Sequence, residues 1–333
     1  MTDDDQPEAR VAALCADVAR LREAIAKRVV GQASVVDGVL TCLLAGGHAL
    51  LEGVPGVGKT LLVRTLAEAL SLSFTRIQFT PDLMPADIVG TTVLLDDKLG
   101  GRSFGFERGP VFAHLVLADE INRATPKTQS ALLEVMQEHT VTVSGRTHLL
   151  EEPYCVLATQ NPLEMEGTYP LPEAQLDRFL LKLRVEFPSR EELHQILDRT
   201  TGRAADTQVG TVLTRERVLE LRQVVREIAV PRHVQDYAVR LLEATHPDRA
   251  SELPRIKRFV RYGGSPRGAQ AMLLFAKVRA VFAGRFAASV EDVRAAVQPA
   301  LGHRLILSFE GEAEGIGTRA LLDDVLAAVR AER

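Results

Sequence analysis

Gly53-Val54-Pro55-Gly56-Val57-Gly58-Lys59-Thr60 fits the spacing G-x-x-x-x-G-K-[ST], and its surroundings give the match weight. Just upstream, residues 48–52 (His-Ala-Leu-Leu-Glu) read as a buried strand; just downstream, Leu62, Leu66 and Leu70 recur at i, i+4 and i+8, a helical period. Glycines between a strand and a helix let consecutive backbone N–H groups curl round a phosphate, while the helix points its positive end at the same place. In that setting Lys59 reaches the β- and γ-phosphates and the Thr60 hydroxyl ligates Mg²⁺. The expected nucleotide-binding set is Gly53, Val54, Pro55, Gly56, Val57, Gly58, Lys59, Thr60 and Leu61.

Further along, Leu115-Val116-Leu117-Ala118-Asp119-Glu120 is an apolar strand ending in two carboxylates. A nucleotide hydrolase needs such a pair beside its phosphate loop: Asp119 to hold Mg²⁺ through its water shell, Glu120 to polarise the attacking water, a role typically worth about 10²–10⁴ in rate. The second acid favours ATP hydrolysis over transfer of the phosphoryl group to another molecule. The strand at residues 155–159 runs into Gln160-Asn161-Pro162, which places a polar amide, Asn161, at a strand tip beside the Asp-Glu strand. Residues 74–79 and 180–185 supply two more short strands, and residues 126–138 are helical with Leu132, Leu133 and Met136 on one face. Strands alternating with helices predict an α/β fold with a parallel sheet covered on both faces.

Two stretches interrupt that rhythm. Residues 91–105 carry Asp96-Asp97, expected as a solvated turn, and Gly100-Gly101 between β-like runs; residues 140–150 alternate around Ser144-Gly145 as a hairpin. Both read as insertions. After a polar linker the chain is helical almost throughout, with runs near 214–228, 231–244, 265–283, 289–301 and 318–333 and a loop expected at 247–264. The predicted organisation is an acidic tail and lead-in helix (1–30), an α/β nucleotide-binding core (31–199), a linker (200–213) and a small all-helical lid (214–333). The acidic head, Asp3-Asp4-Asp5, is expected to be disordered.

Composition narrows the class. The 333 residues hold 40 Lys+Arg against 44 Asp+Glu, a net charge of −4, which gives no overall basic footprint for nucleic acid and leaves room only for a local basic groove. The acidic start lacks a signal peptide's basic and apolar regions, and no apolar stretch approaches the ~20 residues of a membrane span. Cys15, Cys42 and Cys155 lie far apart and form neither a disulfide framework nor a zinc site, and no histidine reads as a metal ligand. A cytoplasmic protein is expected.

Together these motifs resemble the AAA+ ATPases, and within them the MoxR family of the helix-2-insert branch. The resemblance rests on Val29-Val30-Gly31-Gln32, the phosphate loop, the strand ending at Glu120 with Ile121-Asn122-Arg123-Ala124 after it, residues 158–162, residues 167–179 and Gly264-Ser265-Pro266-Arg267-Gly268. It implies a P-loop AAA+ core followed by a helical lid. It further implies that Asn161 is the sensor 1 residue, that Arg178 is an arginine finger reaching a neighbouring subunit's γ-phosphate, that Arg267 is sensor 2, acting in its own subunit or its neighbour's, and that Gln32 lines the adenine pocket. The two interruptions match the insertions of that branch. Asp177 is a possible partner for Arg178, and Arg123 is a further candidate for crossing a subunit boundary.

An arginine supplied in trans makes each active site shared, and head-to-tail contacts of that kind close into rings. The expectation is a homo-oligomeric ring, a hexamer, using ATP and Mg²⁺ in chaperone-like remodelling of protein complexes or metalloenzyme maturation. The resemblance also implies a partner with a von Willebrand factor type A domain. Two alternatives share the architecture: a nucleic-acid motor or loader, which the net charge disfavours, and a chelatase-type motor subunit. A small-molecule P-loop kinase is disfavoured by Glu120 and the helical lid.

Overall fold

The computed structural model describes residues 7–96, 102–161, 167–201, 209–250 and 252–330. Two helices, α1 (Pro7–Ala26) and α2 (Ala33–Ala45), precede strand β1 (Ala49–Glu52), and the glycine-rich loop leads from β1 into α3 (Lys59–Ala69). Then come β2 (Phe74–Gln78), the short α4 (Pro85–Val89), the antiparallel pair β3 (Gly90–Asp96) and β4 (Arg102–Arg108), and β5 (Leu115–Asp119). A single 3₁₀ turn, Ile121–Arg123, precedes α5 (Pro126–Glu138), the hairpin β6 (Thr140–Val143) and β7 (Arg146–Leu149), β8 (Cys155–Gln160), α6 (Glu173–Leu176) and β9 (Leu181–Arg184). The remainder comprises α7 (Arg190–Thr201), α8 (Arg215–Glu227), α9 (Arg232–Glu243), α10 (Pro254–Phe259), β10 (Val260–Tyr262), α11 (Pro266–Phe282), α12 (Val290–Leu301), β11 (Ile306–Leu307), α13 (Phe309–Ala313) and α14 (Thr318–Ala328).

Five strands form one all-parallel sheet in the order β2-β5-β8-β1-β9. The three inner strands are buried on both faces, which is why β5 and β8 read as unbroken apolar runs rather than alternating ones. Successive side chains still point to opposite faces. Leu50, Val116 and Val156 pack under α5 with Leu132 and Met136. Leu51, Leu117 and Leu157 face α2 and α3, and this second core runs without a break into the lid, taking in Leu221, Leu241, Val281 and Val297. The lead-in helix joins the two parts: Val11, Leu14, Val18, Leu21 and Ile25 are all buried, and α1 packs on α3 as well as on α8 and α11.

Several details depart from the pattern read in the sequence. Residues 247–264 are not one loop; they hold α10 and β10, whose antiparallel pairing with β11 adds a small β element to the helical lid. The expected linker is partly packed: Val209 and Leu213 are buried, and the N–H groups of Val212 and Leu213 donate to the Ala69 carbonyl at the end of α3. Asp96 closes β3, while Asp97, the acidic head and residues 202–208 lie outside the described residues. Among the described residues no helix is long and apolar enough to cross a membrane.

Candidate functional site

All five strands of the sheet point their carboxyl ends the same way, so the residues closing β1, β2, β5 and β8 meet along one edge. At β1 the chain leaves through Gly53, which lies so close to β9 that an added Cβ would stand 2.6 Å from the Val185 carbonyl oxygen. Gly56 and Gly58 have φ of 81° and 84°, left-handed backbone that glycine alone adopts freely, and open space where a side chain would be. Gly58 also caps α3 without any side-chain hydrogen bond, so the first N–H groups of that helix have no side chain from the loop to satisfy them. The Lys59 ammonium donates to the Gly53 carbonyl at 2.7 Å, folding the loop over itself. Burial lowers the Lys59 pKa, with Asp119 and Glu120 opposing the shift.

Gln32 reaches the same loop from the start of α2. Its Nε2 donates to the Val57 carbonyl at 2.7 Å, and its Oε1 is buried without a hydrogen-bond partner. A cradle of left-handed glycines, an uncapped helix start, a lysine and an orphaned acceptor suited to an amino group together fit a purine nucleotide with its phosphates. Thr60 in the first turn of α3 and Asp119 at the end of β5 place hard oxygen atoms, the kind Mg²⁺ prefers, at this edge. Among the described residues no cluster of three His, Cys, Asp or Glu side chains forms a separate metal site.

Asp119 and Glu120 are held by neighbours that the sequence pattern did not single out. Asp119 Oδ2 accepts from Arg76 Nε and Nη2 at 2.9 and 2.6 Å, and Oδ1 accepts from the Thr159 hydroxyl at 2.6 Å. The Thr159 oxygen in turn accepts the Glu120 N–H at 2.8 Å, so one hydroxyl on β8 ties both acids together. Glu120 has φ 57°, ψ 48°, a left-handed conformation costing a non-glycine residue roughly 1–2 kcal/mol. Its Oε2 accepts from Gln78 Nε2 at 2.8 Å and from Arg123 Nη1 at 2.9 Å. Asn161 follows β8 immediately and is buried at the same edge. Arg76 and Gln78 sit two apart on β2, on one side of the strand. Finding them from sequence requires knowing that β2 pairs with β5, with Gln78 opposite Asp119.

The two arginines expected to sense phosphate are elsewhere. Arg178 lies just before β9, whose first residue Leu181 is opposite Ala49 at the amino end of β1. Four residues of strand, about 13 Å at 3.3 Å per residue, separate that level from the glycine-rich loop. Arg178 Nη1 donates to the Leu133 carbonyl of α5 at 2.7 Å. Arg267, at the start of α11, comes to the same end of the sheet, with Nη1 3.6 Å from Asp177 Oδ2. The Asp177 carboxylate, a possible partner for Arg178, thus lies against Arg267, and it also accepts from Arg304 and Ser265. Lys59, Thr60, Asp119, Glu120, Gln32 and Asn161 gather at one edge; Arg178 and Arg267 do not join them within this subunit.

Residues 48–181 match the family described as ATPase family associated with various cellular activities (AAA), and residues 253–325 match the AAA lid domain. The chain is 42% identical to Chaperone MoxR1 of Mycobacterium tuberculosis over 98% of its own length and 86% of that protein's. It is 34% identical to protein MoxR of Methylorubrum extorquens, with 87% of each chain covered. A crystal structure of a protein from Cytophaga hutchinsonii named "putative ATPase" superposes with a TM-score of 0.91 at 39% identity, with 98% of both chains covered.

Proposed function

The chain belongs to the MoxR family of AAA+ ATPases, and from that premise we propose that it hydrolyses ATP in a ring of identical subunits and uses the cycle to remodel client protein complexes. The observation that carries this reading is the separation of the two halves of the site. Lys59, Asp119 and Glu120 stand at the carboxyl edge of the sheet, while Arg178 and Arg267 stand at the opposite end, beside Asp177. Neither arginine serves its own subunit's nucleotide, so both are assigned to the neighbour's. On this reading Arg267, like Arg178, acts on the next subunit's nucleotide.

The chemistry follows from the residues. The glycine-rich backbone and the start of α3 bind the phosphates, Lys59 neutralises them, and Gln32 orients the base. Mg²⁺, held by Thr60 and through water by Asp119, would screen the phosphate charge and fix its geometry. Glu120 accepts the proton of the attacking water once its carboxylate exchanges Gln78 and Arg123 for that water. Asn161 aligns the water with the γ-phosphate. Arg178 from the adjoining copy stabilises the charge that builds up on the transferred group, a contribution on the order of 10³–10⁵ in turnover.

A head-to-tail contact of this kind closes into a ring, here proposed as a hexamer. The proposed setting is the cytoplasm, with a partner carrying a von Willebrand factor type A domain and a client complex such as an immature metalloenzyme. A shared site makes specific ATPase activity depend on protein concentration: it should rise steeply across the range in which the ring assembles. An activity per subunit that stays flat while light scattering reports dissociation would sink the shared site.

A further inference from the structure

The short segment that carries Arg178 is gripped by the lid on both sides of that residue. Arg304, in the turn after α12, has a side chain only 2% exposed. Its Nε donates to Asp177 Oδ1 at 2.8 Å, and its Nη2 donates to the carbonyls of Asp177 at 3.1 Å and Phe179 at 2.7 Å. Its Nη1 donates to the Leu180 carbonyl at 3.2 Å and to the Ala300 carbonyl. A guanidinium has five N–H donors, and all five are used. Asp177 and Phe179 flank Arg178, so one arm of the fork, Nη2, brackets the peptide units on either side of it.

Neighbouring groups tighten the same grip. His303 donates Nε2–H to the Phe179 carbonyl at 3.0 Å; burial pushes its pKa well below the usual value and keeps the ring neutral. Ser265 donates to Asp177 Oδ1 at 2.7 Å. Gly268 lets α11 approach, since a Cβ there would stand 2.6 Å from Leu301 Cδ2 and 3.3 Å from Arg304 Cδ. Phe179 itself is fully buried, and Leu180 N–H donates to the His48 carbonyl at the start of β1. The Arg178 side chain leaves this clamp in the other direction, toward α5.

We infer that Arg304 is a positioning residue for hydrolysis in the adjoining subunit: by locking the backbone on both sides of Arg178, it lets the lid fix where the Arg178 guanidinium can reach. The inference rests on the reading of Arg178 as acting in trans. A lysine cannot take over the task, because its three donors radiate from one point and cannot hold a carboxylate and four carbonyls at once. The clamp and the phosphate loop are at opposite ends of the sheet, so loosening the clamp leaves the subunit's own nucleotide site in place. Displacement of a catalytic group by about 1 Å can cost about 10²-fold in rate.

The test uses Arg304→Lys and the milder Asp177→Asn, which keeps the side-chain shape and the clamp's carbonyl contacts. Turnover should fall on the order of 10²-fold for the first and about ten-fold for the second, with nucleotide affinity within about two-fold of the parent. Each variant is then mixed with Lys59→Ala subunits, which lack a working phosphate loop but keep an intact clamp and Arg178. Random 1:1 mixing sets about one site in four between an intact loop and an intact clamp, so activity should return to about a quarter of the parent's. Arg178→Ala is mixed in parallel. Recovery for Arg178→Ala without recovery for either clamp variant overturns the inference and leaves the shared site standing. No recovery for Arg178→Ala overturns the shared site itself. Unchanged turnover in Arg304→Lys also overturns the inference, and Asp177→Asn decides the matter if Arg304→Lys does not fold.

Discussion

The two ends of the central sheet are built on opposite principles. At the carboxyl edge the loop glycines are left-handed and open, α3 starts without a side-chain cap, and Glu120 is held in a conformation that costs energy. At the amino end, Arg304, His303 and His48 are buried against backbone carbonyls, and Arg304 has no donor left unused. Unsatisfied donors and local strain mark a surface prepared for a ligand. Saturated buried donors mark a joint that must not move independently, and here it is the joint on which the lid and the Arg178 segment meet. The same strands run through both ends.

The largest effect that separates the ends comes from Glu120→Gln. If Glu120 acts only as the base for the attacking water, this isosteric change lowers turnover by about 10²–10⁴ and leaves ATP binding and melting temperature near the parent values. Recovered with ATP from cells that make it, the arrested ring should hold its client, and mass spectrometry of what co-purifies names it. Nuclease-sensitive nucleic acid in place of protein would reverse the choice between remodeller and nucleic-acid motor. A variant that loses nucleotide affinity along with turnover would mean that Glu120 shapes the binding site and does not act on water alone.

The amino end should show itself through pH and stability. His48 is fully buried: its Nδ1 accepts from Val156 N–H at 3.0 Å and its Nε2 donates to the Met136 carbonyl at 2.8 Å, a set that needs the neutral ring. Burial, outweighing the Met136 bond, lowers its pKa to about 4. With an unfolded value near 6.5, the unfolded chain binds the proton first, so stability is full above that pH and falls as the pH drops toward 4. The loss amounts to about 3 kcal/mol from this one group, at 1.36 kcal/mol per pKa unit. His303, also depressed by burial, adds to it. Urea melts between pH 7 and 4 should show the decline, and His48→Gln should flatten it at some cost in stability at pH 7. A decline of equal size in His48→Gln would place the acid-sensitive group elsewhere.

The same contrast explains what could be read from sequence. The carboxyl edge was legible because its chemistry lies in contiguous residues: the loop, the strand ending at Glu120 and the tip at Asn161 each carry their meaning locally. The amino end was not, because its contacts join residues far apart in the chain; Arg304 and Asp177 are separated by 127 positions, His48 and Val156 by 108. Nothing at His303-Arg304 distinguishes a buried clamp from a solvated turn in the linear chain. The α10–β10 segment was missed for a related reason, since β10 is a strand only by pairing with β11. Arg76 and Gln78 lay in between: their period-two spacing was visible, but their targets depended on strand order.

Thr159 gives the smallest effect and the sharpest test of how the carboxyl edge is held together. Its hydroxyl donates to Asp119 Oδ1 and accepts the Glu120 N–H, at 2.6 and 2.8 Å, and the residue is buried. Thr159→Val keeps the shape and removes both bonds. Asp119 still has Arg76, but the Glu120 N–H loses its partner while the residue remains in left-handed backbone. Losing a buried partner of this kind costs about 1–3 kcal/mol. Part of that should appear as global stability and part as freedom of Glu120 to leave its working position. Turnover is therefore expected to fall about ten-fold, with ATP affinity little changed and a higher Mg²⁺ requirement, measured by titrating Mg²⁺ at saturating ATP. If turnover holds while stability drops, Thr159 is a packing contact and the strained turn at Glu120 is maintained by Arg123 N–H to Glu120 O, at 2.9 Å, together with the Gln78 and Arg123 bonds to the carboxylate. If both drop together, one hydroxyl on the central strand β8 is what keeps the two acids in register.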